Sequence, residues 1–198
     1  MSDRFYALLE RLFLEIDQDQ VLEDVQRLRA ERPGASNEQL AQEMTRSAAR
    51  KAAITGTAAG AAGGAIGILA MAPDIFNLVR LQSRLILSVA FLYGRTPNVK
   101  ERFREVLATL AISTGAAATR RGARFLISRS VEGQLAKRIV RRIAGRAMVR
   151  RLPAIVPILG GATGAALNYV AVKATGRAAL AFYSVPQIGG DSASGSTP

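Results

Sequence analysis

Residues 51–94 read KAAITGTAAGAAGGAIGILAMAPDIFNLVRLQSRLILSVAFLYG. The first part, Ala52 to Ala72, carries no charge and is mostly Ala and Gly. Pro73-Asp74 interrupts it, and a longer-chain apolar segment follows. The stretch reads as a helical hairpin suited to a membrane or to a very tight helical core. Gly56, Gly60 and Gly64 are four apart, and Gly63 and Gly67 form a second such pair. That spacing draws a smooth stripe on one helix face. Each Gly costs a helix about 1 kcal/mol relative to Ala, so the stripe needs a compensating contact. Close approach of a second helix supplies one, and G-x-x-x-G is its familiar membrane form. A soluble bundle with Ala/Gly packing is the alternative.

In the second arm Pro73 suits a first helical position, and Asp74 suits the positive end of the helix dipole. At about 100° per residue, Asn77, Arg80, Arg84 and Ser88 fall on one stripe, with Asp74 at its edge. Ile75, Leu78, Val79, Leu85, Ile86 and Val89 take the opposite face. Arginines in an apolar helix belong in a bundle interior, a wet groove or among headgroups. A solvated stripe on a surface helix is the plainer reading.

Working outward toward the N-terminus, Phe5, Leu8, Leu9, Leu12, Phe13 and Ile16 recur at helical spacing. They predict an amphipathic helix over residues 2–16. Val21, Leu22, Val25 and Leu28 predict a second helix ending before Pro33-Gly34. Ser36 and Gln39 form a capping box that opens a third helix running into the Gly-rich block. Acids and bases nearly balance over residues 1–51, which read as a soluble cap or partner-binding arm.

Working outward toward the C-terminus, Gly94 to Asn98 is a turn. A helix follows to about Ser113, with Val99, Phe103, Val106, Leu107 and Leu110 inward. From Arg120 the chain turns basic, and residues 98–151 hold fourteen Lys or Arg against three Glu. Almost the whole formal net charge of +12 lies there. Leu135, Ile139, Val140 and Ile143 share one side of a helix, with Lys137, Arg138, Arg141 and Arg142 on the other. Leu152 to Val172 is a second uncharged stretch, in which Gly160 and Gly164 lie four apart and Asn168 is one turn on. This helix is expected to run to about Tyr183, with a disordered tail over residues 186–198.

No segment alternates as a strand would. The expected fold is all-α: a helical bundle with two Gly/Ala-rich apolar helical hairpins and an amphipathic N-terminal helical arm. The expected division is 1–35 for the arm, 36–185 for the helical domain and 186–198 for the tail.

Residues 36–184 resemble the EcsC family. The resemblance lies in the Gly/Ala block, Pro73-Asp74, the apolar helix with Gln82 and Arg84, and Tyr93-Gly94. It returns in Pro157 to Gly164, Asn168, and Gly176-Arg177-Ala178-Ala179. The family takes its name from an operon that also encodes an ABC transporter. The resemblance implies a bacterial, membrane-associated helical protein and no particular reaction.

Chemistry is constrained from the other side. The 198 residues include no His and no Cys. The commonest general base, thiol nucleophiles and the usual zinc sites are thereby removed. No P-loop motif occurs, and the glycines follow no strand. The expectation is therefore no enzyme, no cofactor and no metal. A strong positive charge favours anionic partners. The first functional reading is docking on anionic membrane lipids at the cytoplasmic leaflet, with an accessory role in transport or lipid handling. Arg120, Arg121, Arg124, Arg138, Arg141 and Arg142 would contact headgroups. Asp74, Asn77, Arg80, Arg84 and Asn168 would form a polar seam lining a headgroup or anion groove. Gly56, Gly60, Gly64, Gly160 and Gly164 would pack helices. Two alternatives use the same features: nucleic-acid binding by the Arg-rich residues 120–151, disfavoured by the few aromatics, and self-association through the glycine stripes. The partners expected are lipid, a membrane transporter or a second copy.

Overall fold

The computed structural model describes residues 2–61, 71–95, 99–117, 134–139, 141–142 and 157–185, and among them every regular element is a helix. The elements are α1 (Ser2–Leu14), α2 (Gln18–Glu31), α3 (Asn37–Ala61), α4 (Met71–Leu92), α5 (Val99–Ser113) and α6 (Pro157–Tyr183). A short helical stretch at 134–139 lies between α5 and α6 in the chain. The fold is all-α, as the 3.6-residue periodicity predicts.

Local chemistry sets the helix ends. Asp17 caps α2, its carboxylate accepting from the Gln20 amide at 2.9 Å. The Ser36 box closes in both directions. The Ser36 amide donates to Gln39 Oε1 at 2.8 Å, and the Gln39 amide donates to Ser36 Oγ at 3.2 Å. α4 ends on Gly94 at φ +69°. The Arg95 amide reaches back to the Ala90 carbonyl and the Gly94 amide to that of Phe91. This is the Schellman arrangement, and it requires the left-handed conformation that Gly adopts without strain. Pro157 opens α6, where a missing amide hydrogen costs nothing. Pro73 and Asp74 lie within the first described turn of α4.

α4 is the central helix. α1, α2, α3, α5 and α6 all pack on it. Leu78, Val79, Leu85, Ile86 and Val89 are buried, as their shared face predicts. α1 docks by Phe13 and Tyr6, whose rings meet Phe103 of α5 at 5.4 and 5.2 Å. The N-terminal arm is thus packed on the bundle.

Two clusters fix the direction of the long helices. One guanidinium, that of Arg29, donates to Asn37 Oδ1 and to the Leu92 carbonyl, each at 2.8 Å. The start of α3 therefore lies beside the end of α4, and the two run antiparallel. α3 and α6 make the most extensive helix contact in the fold. A close approach joins Thr45, in the first half of α3, to Gly176, in the second half of α6. Tyr183, at the end of α6, lies near Arg95 just beyond the end of α4, where α3 begins, so α3 and α6 also run antiparallel and overlap almost end to end.

The end of α6 carries a buried polar cluster. Tyr183 is 3% exposed. Burial, and then the charge of Glu105 and a hydrogen bond to it, push the Tyr183 phenol well above its ordinary value of 10.0. Thr109 and Arg95 act weakly in the other direction. In the unfolded chain the phenol ionises near pH 10, and in the folded chain it resists. This contribution is therefore complete below pH 10 and lost as the pH rises toward the folded value. Stability is expected to fall above about pH 10 with a slope approaching 1.4 kcal/mol per pH unit from this group. Urea titrations of wild type and Tyr183→Phe from pH 8 to 11 check this. The difference between the two curves should grow in the alkaline range, and parallel curves would refute it.

Candidate lipid interface

The antiparallel packing gathers the uncharged segments. The end of α3, the beginning of α4 and the beginning of α6 share one end of the bundle. Residues 52–61, 71–79 and 157–172 contain a single charged residue, Asp74. Three large apolar side chains stand exposed on these segments: Ile54 at 72%, Val170 at 62% and Phe76 at 36%. Counting equal steps from the Thr45–Gly176 contact places Val170 within about a turn of Ile54 along the bundle axis.

Basic residues border this end. Lys51 is the last charge of α3 before the uncharged segment, and Lys173 is its counterpart on α6. Lys173 Nζ stands 5.7 Å from the Tyr169 ring centroid, its stem laid along the aromatic face. Counting from the Arg29 cluster, Arg80 of α4 is level with Lys51 to within a turn. The bundle end, whose one charge is Asp74, is thus apolar beyond the cations Lys51 and Lys173, with Arg80 paired to Glu15 at the same level.

The polar seam takes a different form from the one expected. Arg80 donates to the Glu15 carboxylate beyond the end of α1, and Arg84 Nη2 donates to Asp24 Oδ2 of α2 at 2.6 Å. Asn77 is exposed, Ser88 Oγ donates to the Arg84 carbonyl at 2.9 Å, and Asn168 is fully buried in α6. Asp74 lies in α4, and its side chain lies outside the described residues. The stripe predicted from spacing exists, but its arginines pair with acids of the N-terminal helices and not with Asn168. The reason is tertiary: α1 and α2 cover that face and bring two carboxylates to it. At Asp24, burial raises the carboxyl pKa, but the hydrogen bonds from Arg84 and Gln20 and the charge of Arg27 outweigh it. The net result is a pKa below the ordinary 3.8.

The basic helix is seen in part. Leu135, Ala136 and Ile139 are buried, while Arg138, Arg141 and Arg142 are exposed. Arg142 Nη1 also donates to the Thr114 carbonyl at 3.4 Å, beyond the end of α5. Arg120, Arg121, Arg124 and Gly64 lie outside the described residues, as does the tail. Gly56 and Gly60 are in α3 and Gly160 is in α6, and Gly164 is buried. Among the described residues Ile75–Leu92 alone is long and apolar enough to cross a membrane, and 67% of it is buried inside the bundle.

Two features escaped the sequence reading. Gly176 entered the sequence reading only through the family resemblance; its close approach to Thr45 of α3 was not foreseen, because it stands outside the four-residue Gly spacing. The second is a groove of about 570 Å³ lined by Arg32, Glu43, Arg46, Ser47, Arg50, Lys51 and Ile54. The available signal was Arg46 and Arg50 four apart, with Lys51 directly before an uncharged block. Counting charge over all of residues 1–51 averaged it away.

Comparison with known proteins gives one match: the model of the EcsC protein family covers residues 14–185. That match begins in α1, well before Ser36. No curated protein and no solved structure matches the chain.

Proposed function

The chain belongs to the EcsC protein family, and we propose that it docks by its uncharged bundle end on an anionic lipid surface at the cytoplasmic side of a membrane. The observation that carries this reading is the convergence of three helix segments whose one charge is Asp74, with Ile54, Phe76 and Val170 exposed, at one end of an otherwise charged bundle. Exposed apolar side chains grouped in this way mark contact with lipid or protein. Lys51, Lys173 and the net charge of +12 favour lipid with anionic headgroups. The role is accessory, in transport or lipid handling, and not catalytic. The chain has neither His nor Cys to serve as base or nucleophile.

Flotation with liposomes tests the reading. The protein should rise with phosphatidylcholine vesicles and more strongly with anionic ones. High salt should weaken the second by screening and leave the first, because apolar insertion is not screened. Complete release from both vesicle types at high salt would reduce the contact to electrostatics and defeat insertion of the bundle end. A DNA shift assay run beside it distinguishes lipid from nucleic acid as the anionic partner.

A further inference from the structure

We propose that the groove on the outer face of α3 binds the phosphate headgroup of an anionic glycerophospholipid, with Arg46, Arg50 and Lys51 as the recognising cations. The groove has four basic side chains and one acid. Its acid is occupied: Arg32 Nη2 pairs with Glu43 Oε1 at 3.3 Å. Arg46, Arg50 and Lys51 make no ion pair with any described residue. Arg46 and Arg50 are four apart on one helix face and both line the groove; Arg46 Nε donates to the Gln42 carbonyl at 3.4 Å, which leaves its terminal N–H donors for a ligand. Arginine suits a phosphate there, because its planar fork offers paired N–H donors to two oxygens. Ser47 adds a hydroxyl within the same lining. The volume is of the order that small ligands occupy.

The choice of a lipid over a soluble phosphate ester comes from the other end of the groove. Its last lining residue is Ile54, beyond which α3 is uncharged to Ala61. The lining thus passes from cationic to apolar along one helix, as an amphiphile does. Arg50 and Lys51 are the last cations before this uncharged run, so with the bundle end in hydrocarbon they are the groove cations nearest the phosphates. The inference rests on the docking reading above and adds to it a headgroup and the residues that select it.

The test uses the full chain and vesicles of phosphatidylcholine with and without phosphatidic acid. The variant Arg46→Gln/Arg50→Gln removes two groove charges. Arg27→Gln/Arg177→Gln removes two exposed charges that do not line the groove. The groove variant should bind phosphatidic acid vesicles roughly thirtyfold more weakly, at about a factor of five or six per arginine. The control should lose less than about threefold. Both should bind pure phosphatidylcholine as wild type does, and Arg46→Lys/Arg50→Lys should recover part of the loss. Equal loss in groove variant and control, with phosphatidylcholine binding intact, overturns the headgroup site and leaves the docking reading standing. Failure of the wild type to bind either vesicle removes both. Glycerol 3-phosphate in solution is the remaining arm. If it binds the wild type as tightly as the vesicles do, the ligand is a soluble phosphate ester and the lipid assignment is overturned.

Discussion

Gly176→Ala is expected to destabilise the protein by about 1–2 kcal/mol, although alanine is the better helix former. A Cβ at Gly176 would lie 2.2 Å from Thr45 Oγ1, 2.3 Å from its Cγ2 and 2.8 Å from its Cβ. Rotation about χ1 can vacate only one of the two positions that these first two atoms fill, and it loses the 2.7 Å hydrogen bond from Thr45 Oγ1 to the Ala41 carbonyl. The third is fixed to the backbone of α3 and cannot turn away. The two helices must therefore part along the most extensive contact of the fold. Overpacking in a close-packed interior costs typically about 1–3 kcal/mol and sometimes more, against a gain of about 1 from helix propensity. Gly176→Val adds a branched side chain at the same point and should exceed about 4 kcal/mol, near the whole stability of a marginal domain. Urea titration followed by circular dichroism measures both. Thr45→Gly, which removes all three obstructing atoms, should make the Gly176→Ala step mild, and the cycle isolates the contact. A Gly176→Ala protein more stable than wild type would mean that propensity alone decides and the close approach is absent.

That glycine also shows where sequence reading stops. The capping box at Ser36, the turn at Gly94 and the helix end at Tyr183 were legible because each is decided within a few residues. The inward faces of α1, α4 and α5 were legible for the same reason, since a helical period states which side is apolar. Partners across the fold were not. Arg80 and Arg84 read as a stripe seeking a counterpart, and the nearest polar candidate by pattern was Asn168. Their acids are 65 and 60 residues away in sequence, in an arm that read as separate. Only the packing of α1 and α2 on α4 brings them together. The groove on α3 was hidden differently. Its three cations without an ion pair among the described residues are local, but Glu23, Asp24 and Glu31 offset them in any count over the arm, although they belong to another helix. Charge balance along a chain says little about charge balance on a surface. The uncharged bundle end was half legible. Two Gly/Ala blocks were plain, but their meeting at one end depends on the antiparallel order that Arg29 and Thr45 reveal.

If the uncharged end enters lipid, charging its exposed apolar residues should abolish docking on neutral vesicles and leave the fold intact. Ile54 and Val170 are the residues to change, at 72% and 62% exposure on α3 and α6. Neither supports the core, so Ile54→Glu/Val170→Glu should unfold at nearly the wild-type urea concentration. In lipid each would have contributed about 1.5–3 kcal/mol of burial. A carboxylate in their place must also be kept out of hydrocarbon, which adds a further penalty of similar size per residue. The partition onto phosphatidylcholine should fall by at least about a hundredfold. Val185→Glu is the matched control. Val185 is 48% exposed just beyond Tyr183, at the other end of the bundle. Its substitution should change flotation by less than about twofold, since that end stays in water in this orientation. Equal flotation of the double variant and wild type would show that the bundle end is not what meets the membrane. Equal loss in the Val185→Glu protein would show that the orientation is wrong. An anionic vesicle series then separates the layers of the contact. The double variant should retain only weak, salt-sensitive binding there, because the cations remain in place although Ile54→Glu sets a carboxylate one turn from Arg50.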